Sequence, residues 1–452
     1  MAVLMPGWTR TRLTAALITI AALVLVPLAV KGVAWQAERE TRQRLFQRGS
    51  HSLAYGTDET ITTLQQQLRD NPREFAPHIA LAHTYLQKVR ETGDPSLYTK
   101  VESLLNSAEK IDGQQPDLFA TRGILALARH DFAGALKLGK QALILDTENP
   151  QYYGIVADAQ IELGKYDEAI KSLQTMVEHR PDFSSYSRIA YARELYGDPE
   201  GAMEAMQFAI DAGGPVPENI SWAYVQLGNL SFGMGNLDEA GRNYDLALQR
   251  VENYPAALAG QARVATATGD LRRAASLYQQ AFDRVPLAEY AIALGDVYTK
   301  LGDEPAAQRQ YDLVKAIDQL LSTNGVNTDM ETALFFADHN IDLPQSLVKA
   351  RAAYAARPSV HAADALAWTL YRTGNYAEAQ TYAAEALKLS SYDSLKLFHA
   401  GMIANALGQR DQAQTYLQQA LNLNPHFSLL WSDLAQTTLK QLASTPATKE
   451  GQ

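Results

Sequence analysis

No cysteine occurs among the 452 residues. Disulfides, thiolate metal sites and cysteine nucleophiles are therefore excluded. Positive charge is in short supply as well: 40 lysines and arginines stand against 50 aspartates and glutamates, a net charge of −10. Such a chain has no global attraction for phosphate backbones or anionic lipid, so nucleic acid is not an expected partner. The 18 prolines and 28 glycines are dispersed, and no Pro- or Gly-rich stretch marks a domain boundary. Signatures of chemistry are missing too. There is no phosphate-cradling G-x-x-x-x-G-K-[ST], no G-x-G-x-x-G, no H-E-x-x-H and no G-x-S-x-G.

One long apolar run is present, "LTAALITIAALVLVPLAV" at residues 13–30, preceded by Arg10 and Arg12. As a helix it is about 27 Å long, roughly one hydrocarbon core. Trp8 and Trp35 flank it where interfacial aromatics belong. The competing reading is a cleaved signal peptide, since Pro27 interrupts the run and "GVA" ending at Ala34 resembles a cleavage site. The length of the run and Lys31 directly after it favour an uncleaved anchor. Lys31, Arg39, Arg42, Arg44 and Arg48 follow the span, and a strict positive-inside count keeps that side in the cytoplasm. The short basic tail ahead of the first apolar segment argues for export. We expect a single-pass membrane protein whose remainder lies outside the cytoplasm.

The rest of the chain repeats. "LGKYDEAI" (163–170) has relatives in "GNLDEA" (235–240), "GDLRRA" (269–274), "GDEPAA" (302–307), "GNYAEA" (374–379) and "GQRDQA" (408–413). The closing small residues are Ala135, Ala169, Ala202, Ala240, Ala274, Ala307, Ser346, Ala379 and Ala413, mostly 33 or 34 apart. Twelve residues upstream a second row runs Gly123, Ala157, Ala190, Gly228, Ala262, Gly295, Leu334, Ala367, Gly401. A third row, seven residues downstream, runs from Ala142 to Ala420 with the same steps. Small residues at fixed points let two antiparallel helices approach closely, and a Gly or Asn between them ends the first. Prolines such as Pro150, Pro181, Pro255, Pro358 and Pro425 separate one hairpin from the next. No single hairpin buries its apolar face, so neighbours must stack.

On these motifs the chain resembles the tetratricopeptide-repeat (TPR) family, with "YYGIVADAQIELGKYDEAIKSLQTMVEHRPDF" (152–183) the best match. The resemblance implies an all-α fold, a right-handed superhelix (α-solenoid) of antiparallel helix pairs, here behind an N-terminal transmembrane helix. The expected organisation is a basic tail (1–12), an anchor or signal (13–35), and a juxtamembrane linker with a lone helix (36–74). About ten units (75–427), a capping helix (428–441) and a tail (442–452) follow.

The one stretch that suggests chemistry is "NGVNTDMETALFFADHNIDLP" at residues 324–344. Thr328 and Glu331 have the spacing of a capping box, Asp329 falls in a first turn, and Asp342 sits where the next helix needs its N-cap. Asp338 and His339 are left over. Placed on the repeat register, His339 and His361 differ by eleven residues along their helices, about 16 Å, with about 10 Å more between packed helices. Zinc–nitrogen bonds are about 2 Å, so the two cannot share an ion. His361 and Asp364 stand three apart on one helix, and two ligands do not make a site. We expect no catalytic residue, no cofactor and no metal.

In the family, the first helices of successive units line a concave groove, and the residue after each upper-row position faces it. By resemblance these are Ile124, Asp158, Tyr191, Asn229, Arg263, Asp296, Phe335, Trp368 and Met402, joined by Glu194, Phe232, His339, His361, Asp364, Tyr371 and Arg372. Tyr191, Asn229, Arg263, Asp296, Phe335, His339, His361, Asp364, Trp368, Tyr371 and Arg372 form the candidate binding groove, because aromatics and arginine are the usual interface anchors. The bland alternative is that Phe335 and Trp368 pack between units. The family's carboxylate clamp is not implied, since Val225 stands where its lysine would be. The expected function is a noncatalytic, membrane-anchored scaffold for proteins or peptides. The alternatives are a secreted or periplasmic accessory factor for envelope or polysaccharide export and assembly, and an enzyme built into the repeats.

Overall fold

A computed structural model describes residues 56–444 except 214–216 and 391. The apolar run at 13–30, the basic tail before it and the C-terminal residues 445–452 lie outside the described residues. Among those described, no helix is long and apolar enough to cross a membrane, and no strand occurs. The chain divides into two compact units, residues 1–63 and 64–452. Of the first, residues 57–63 begin the helix Thr57–Asp70.

Among the described residues the second unit holds ten helix pairs and a final helix. In chain order the pairs are Phe75–Thr92 with Leu97–Ile111 (unit 1), Pro116–Ala128 with Phe132–Leu145 (unit 2), and Pro150–Glu162 with Tyr166–His179 (unit 3). Phe183–Leu195 with Pro199–Ala212 (unit 4) and Pro217–Gly233 with Leu237–Arg250 (unit 5) complete the first half. The second half is Pro255–Ala267 with Leu271–Arg284 (unit 6), Ala288–Leu301 with Glu304–Thr323 (unit 7), and Asp329–Asp338 with Leu343–Ala356 (unit 8). Val360–Arg372 with Tyr376–Ala386 (unit 9), Ser394–Ala406 with Arg410–Leu423 (unit 10) and the helix Ser432–Ser444 end the array.

The small-residue rows explain the pairing. Ala135, Ala157, Ala202, Ala240, Ala262, Ala274, Ala367, Ala379, Ala413 and Ala420 are essentially without solvent contact. Tyr244 shows why bulk is not tolerated there: its ring lies where a methyl group on Gly228 or Gly260 would have to stand. Each interface then continues into the next unit, as where Leu258 and Ala262 of unit 6 share one core with Tyr278, Leu294 and Val297. First helices open with proline at the start in units 2, 3 and 6, where its missing N–H costs nothing.

The array returns on itself after five units. The turn of unit 1, at Gly93, meets Val285 and Pro286 in the loop after unit 6. The turn of unit 2 pairs with the loop after unit 7, Asn327 donating its N–H to the Arg129 carbonyl (3.0 Å) while His130 Nδ1 reaches the Asn327 carbonyl (2.7 Å). Gly164 of unit 3 lies against the Pro358 carbonyl after unit 8, and Gly197 of unit 4 against Ser390 after unit 9. Gly235 of unit 5 meets Leu423 and Asn424 at the end of unit 10, and Asn424 Nδ2 donates to the Phe232 carbonyl (2.7 Å, buried). Units 1–5 and units 6–10 are thus two stacked layers, held by five successive rungs between turns and loops.

The stretch 324–344 departs from its expected local chemistry in one respect. Thr328 caps nothing: its hydroxyl donates to Asp318 instead. Glu331 pairs with Arg357 (2.8 Å), so the expected capping box does not form, because both side chains find other partners, one on the preceding helix and one in the loop after unit 8. Asn327 Oδ1 takes the Asp329 N–H in its place (3.0 Å). Asp342 does cap Leu343–Ala356, accepting from the Gln345 N–H, and Asp329 pairs with Lys349 (2.9 Å). The last helix begins at Ser432 rather than near residue 428, since Ser428 and Ser432 exchange turn bonds that tighten the chain after Pro425.

Candidate protein-binding surface

Residues one past the upper small row are carried side by side by the first helices. Their polar members mostly hold the neighbouring unit. Asp158 of unit 3 takes two parallel bonds from Arg188 of unit 4, both 2.8 Å. Asn229 Oδ1 of unit 5 accepts from Arg263 Nη1 of unit 6 (3.1 Å) and from Tyr244 Oη (2.9 Å). Asp296 of unit 7 meets His339 Nε2 of unit 8 (2.7 Å) and accepts from Tyr311 Oη (2.9 Å). In unit 9 the acceptor is instead Asp364, three residues before the upper-row Ala367, which meets His399 Nδ1 of unit 10 at 3.0 and 3.1 Å. One acceptor on an odd unit and one basic group on the next therefore tie the array together pair by pair.

The aromatic members are divided. Trp368 is 1% exposed and Phe335 3%. Phe335 packs against Tyr311, Phe336 and His339. Trp368 lies flat on Tyr371 and on His399, edge-on to Trp431, and its indole N–H donates to Asp338 (2.8 Å). Trp431 donates to the same Asp338 oxygen (3.1 Å). Arg372 lies over both indoles and reaches the Asp338 carbonyl at 3.4 Å. Trp368 and Phe335 are thus core between units, the blander of the two readings of the sequence. Tyr191 is different, being 37% exposed, and the stacking of layers brings its hydroxyl to 3.3 Å from His361 Nε2, 170 residues on.

Electrostatics follow burial. His361 is pulled down to about 4 by burial first and by Lys396 next, so its ring is neutral at pH 7. Burial also lowers His339, but the Asp296 carboxylate, the Phe335 carbonyl and Asp338 together outweigh it and the pKa rises. Asp338 is raised by burial, with His399 and the two indole donors opposing. Glu194 is exposed to solvent yet ringed by protein: burial and Asp393 raise its carboxyl, Lys396 opposing. Among the described residues no group of three or more His, Asp or Glu side chains is placed to hold a metal ion.

The eleven candidate residues therefore form several small clusters: Tyr191 with His361, Asn229 with Arg263, Asp296 with Phe335 and His339, Asp364 with His399, and Trp368 with Tyr371 and Arg372. Asp338, His399, Trp431 and the segment after unit 10 complete these clusters and were not singled out from the sequence as contact residues. A cavity of about 490 Å3 opens between the inner ends of units 5–7 and this segment, with Phe232, Arg263, Asp296 and Lys300 on one side and His426, Leu429 and Asp433 on the other.

Models of the tetratricopeptide repeat match residues 126–193, 259–319, 360–390 and 397–427. The "Small glutamine-rich tetratricopeptide repeat-containing protein 2" of Saccharomyces cerevisiae is 32% identical over 94 residues, 21% of this chain and 27% of that protein. The "Heat-shock protein cognate (HSC) co-chaperone sgt12" of Aspergillus fumigatus is 30% identical over 117 residues, 24% of this chain and 34% of that protein. The chain spans about a third or less of these curated relatives. Among solved structures, the Cut9–Hcn1 tetramer of the APC/C is similar at 14% identity, over 89% of this chain and 95% of that one, with a TM-score of 0.37. The chain carries tetratricopeptide repeats, stacked as an all-α solenoid.

Proposed function

We propose that the chain is a noncatalytic scaffold that binds proteins or peptides along the inner face of its repeats and is held at a membrane by residues 13–30, with the repeats outside the cytoplasm. The observation that carries the binding part is the inner face itself. Accessible side chains of mixed chemistry, Tyr191, Glu194 and Lys300, stand on a wall whose geometry is fixed by cross-unit bridges, which is what preorganised recognition requires. One curated relative is a co-chaperone; only its working through another protein is carried over. The apolar run and its flanking tryptophans support the anchor.

Crosslinking of the full-length protein in its native membrane, followed by affinity purification, tests the reading. Tyr191→Ala combined with Arg263→Ala should remove the captured partner, with the protein still folded by circular dichroism. Undiminished capture would move the site off the inner face. Trp368 is unsuited to this test because truncating it opens the core. For the anchor, the full chain should resist carbonate extraction; recovery of a soluble protein beginning near Trp35 would overturn it.

A further inference from the structure

Five rungs close the two layers tightly, and then the contact stops. A methyl group on Gly235, in the turn of unit 5, would strike Leu423, whereas one on Gly269, in the matching turn of unit 6, meets nothing. The chain between Asn424 and Ser432 bridges the gap as a strap, leaving the cavity of about 490 Å3 beneath it, within the roughly 300–1,000 Å3 usual for ligand sites. Its floor is apolar: Phe232, Tyr278 and Val297, all nearly buried, with Leu429 of the strap packed against the same core.

Its lining offers two cations, Arg263 and Lys300. Asp296 is committed to Tyr311 and His339. Arg263 lies over the Phe232 ring at 4.2 Å and gives one N–H to Asn229, out of five that a guanidinium carries. Lys300 holds Asp433 at 2.8 Å, but that pair is half-exposed or more on both sides and exchanges readily. The strap and the first turn of the helix after it already display the chemistry this wall accepts, an apolar side chain at 429 and a carboxylate four residues later at 433.

We propose that this cavity is an anchor pocket for a partner segment that carries one bulky apolar side chain, aromatic or leucine, with an aspartate or glutamate within four residues of it. The apolar group fills the cavity between Tyr278, Ala293 and Leu429, and the carboxylate takes Arg263 and Lys300. The pocket needs the strap as its upper lip and needs no free C-terminus on the partner. This rests on the reading of the inner face as a protein-binding surface and names which part of it selects the partner.

The test presents the full-length protein in detergent micelles with a phage library of random 12-residue peptides fused through their C-terminal ends. Selection should enrich Phe, Trp or Leu with Asp or Glu within four residues, at least tenfold over the unselected library. Arg263→Glu and Lys300→Glu should each lose the acidic preference by tenfold or more. Ala293→Phe, which fills the cavity and leaves both charges, should lose the apolar preference. Lys300 is exposed, so its variant keeps the test valid should Arg263→Glu fail to fold. Enrichment of another motif, or the same motif undiminished in all three variants, overturns the pocket. Peptides lost on Tyr191→Ala but untouched by the cavity variants would sink the pocket while sparing the inner-face reading. An absence of any selected peptide, together with no crosslinked partner, would sink both.

Discussion

Gly164 and Gly374 hold the same left-handed turn conformation, φ +69° and +81°, in units 3 and 9. An alanine at either site costs about 1–2 kcal/mol for the backbone alone. Only Gly164 has a neighbour: its methyl group would collide with the Pro358 carbonyl oxygen, while the space around Gly374 is open. Gly164→Ala should therefore cost at least about 1 kcal/mol more than Gly374→Ala. Urea unfolding of the two variants checks this; equal losses would mean the layers do not touch at that rung. A sequence reader sees the same "LGKY" and "TGNY" motif in both places. The glycine's turn was legible, and its second duty was not, because the partner lies in a loop that follows no repeat pattern.

His361 supplies a pH dependence with a definite sign. Its folded pKa of about 4 lies below the ordinary 6.5, so between those values the unfolded chain takes up a proton that the folded one refuses. Its contribution to stability is full above pH 6.5 and is lost as the pH falls towards 4. Raised carboxyls such as Glu194 and Asp338 act in the opposite sense, so the difference between wild type and His361→Asn isolates the effect. The variant should lose less stability between pH 7 and pH 4.5, measured by the urea midpoint. A parallel pH profile would show that the ring is not desolvated.

At the scale of single elements, unit 8 shows what helix-end rules deliver. Asp342 stands two residues before Pro344, and its carboxylate caps the second helix through the Gln345 N–H, as the spacing indicates. Its own φ is +36°, a region where only glycine is at ease. Asp342→Ala should cost about 1 kcal/mol for the cap plus the unrelieved backbone, whereas Asp342→Gly should recover part of that loss. Thermal unfolding of both variants decides the order; a glycine no better than alanine would remove the backbone half of the argument. Thr328 and Glu331 fit their rule equally well on paper. They fail it because Asp318, from the elongated second helix of unit 7, and Arg357, from the loop after unit 8, offer stronger partners. Helix-end rules see only local competitors. The cross-unit bridges were half legible for the same reason: the repeat register put Asn229, Arg263 and Asp296 on one face, but could not show that they are bonded to one another or to their neighbours.

For the whole molecule, the layered contact changes what kind of repeat protein this is. An open solenoid has only nearest-neighbour terms, so damage in one unit spreads along the chain. Here unit n also rests on the loop leaving unit n+5, and Tyr166 of unit 3 gives the cleanest probe of that coupling. Its hydroxyl oxygen accepts the Val360 N–H at 2.7 Å, 194 residues away and buried, and burial holds the phenol protonated by pushing its pKa to about 12. Tyr166→Phe leaves the ring in place and strips a buried N–H of its acceptor, a loss of about 1–3 kcal/mol. Hydrogen exchange should then quicken at residues 359–363, at the start of unit 9, by roughly tenfold or more. Units 6 and 7, nearer in sequence to neither site, should keep their protection. If exchange instead rises only in units 2–4 around the mutation, coupling runs along the chain and the rungs carry no energy. If it rises at 359–363 while the units between stay protected, the energy passes directly from layer to layer, and the inner face is held in shape by contacts that no single repeat contains.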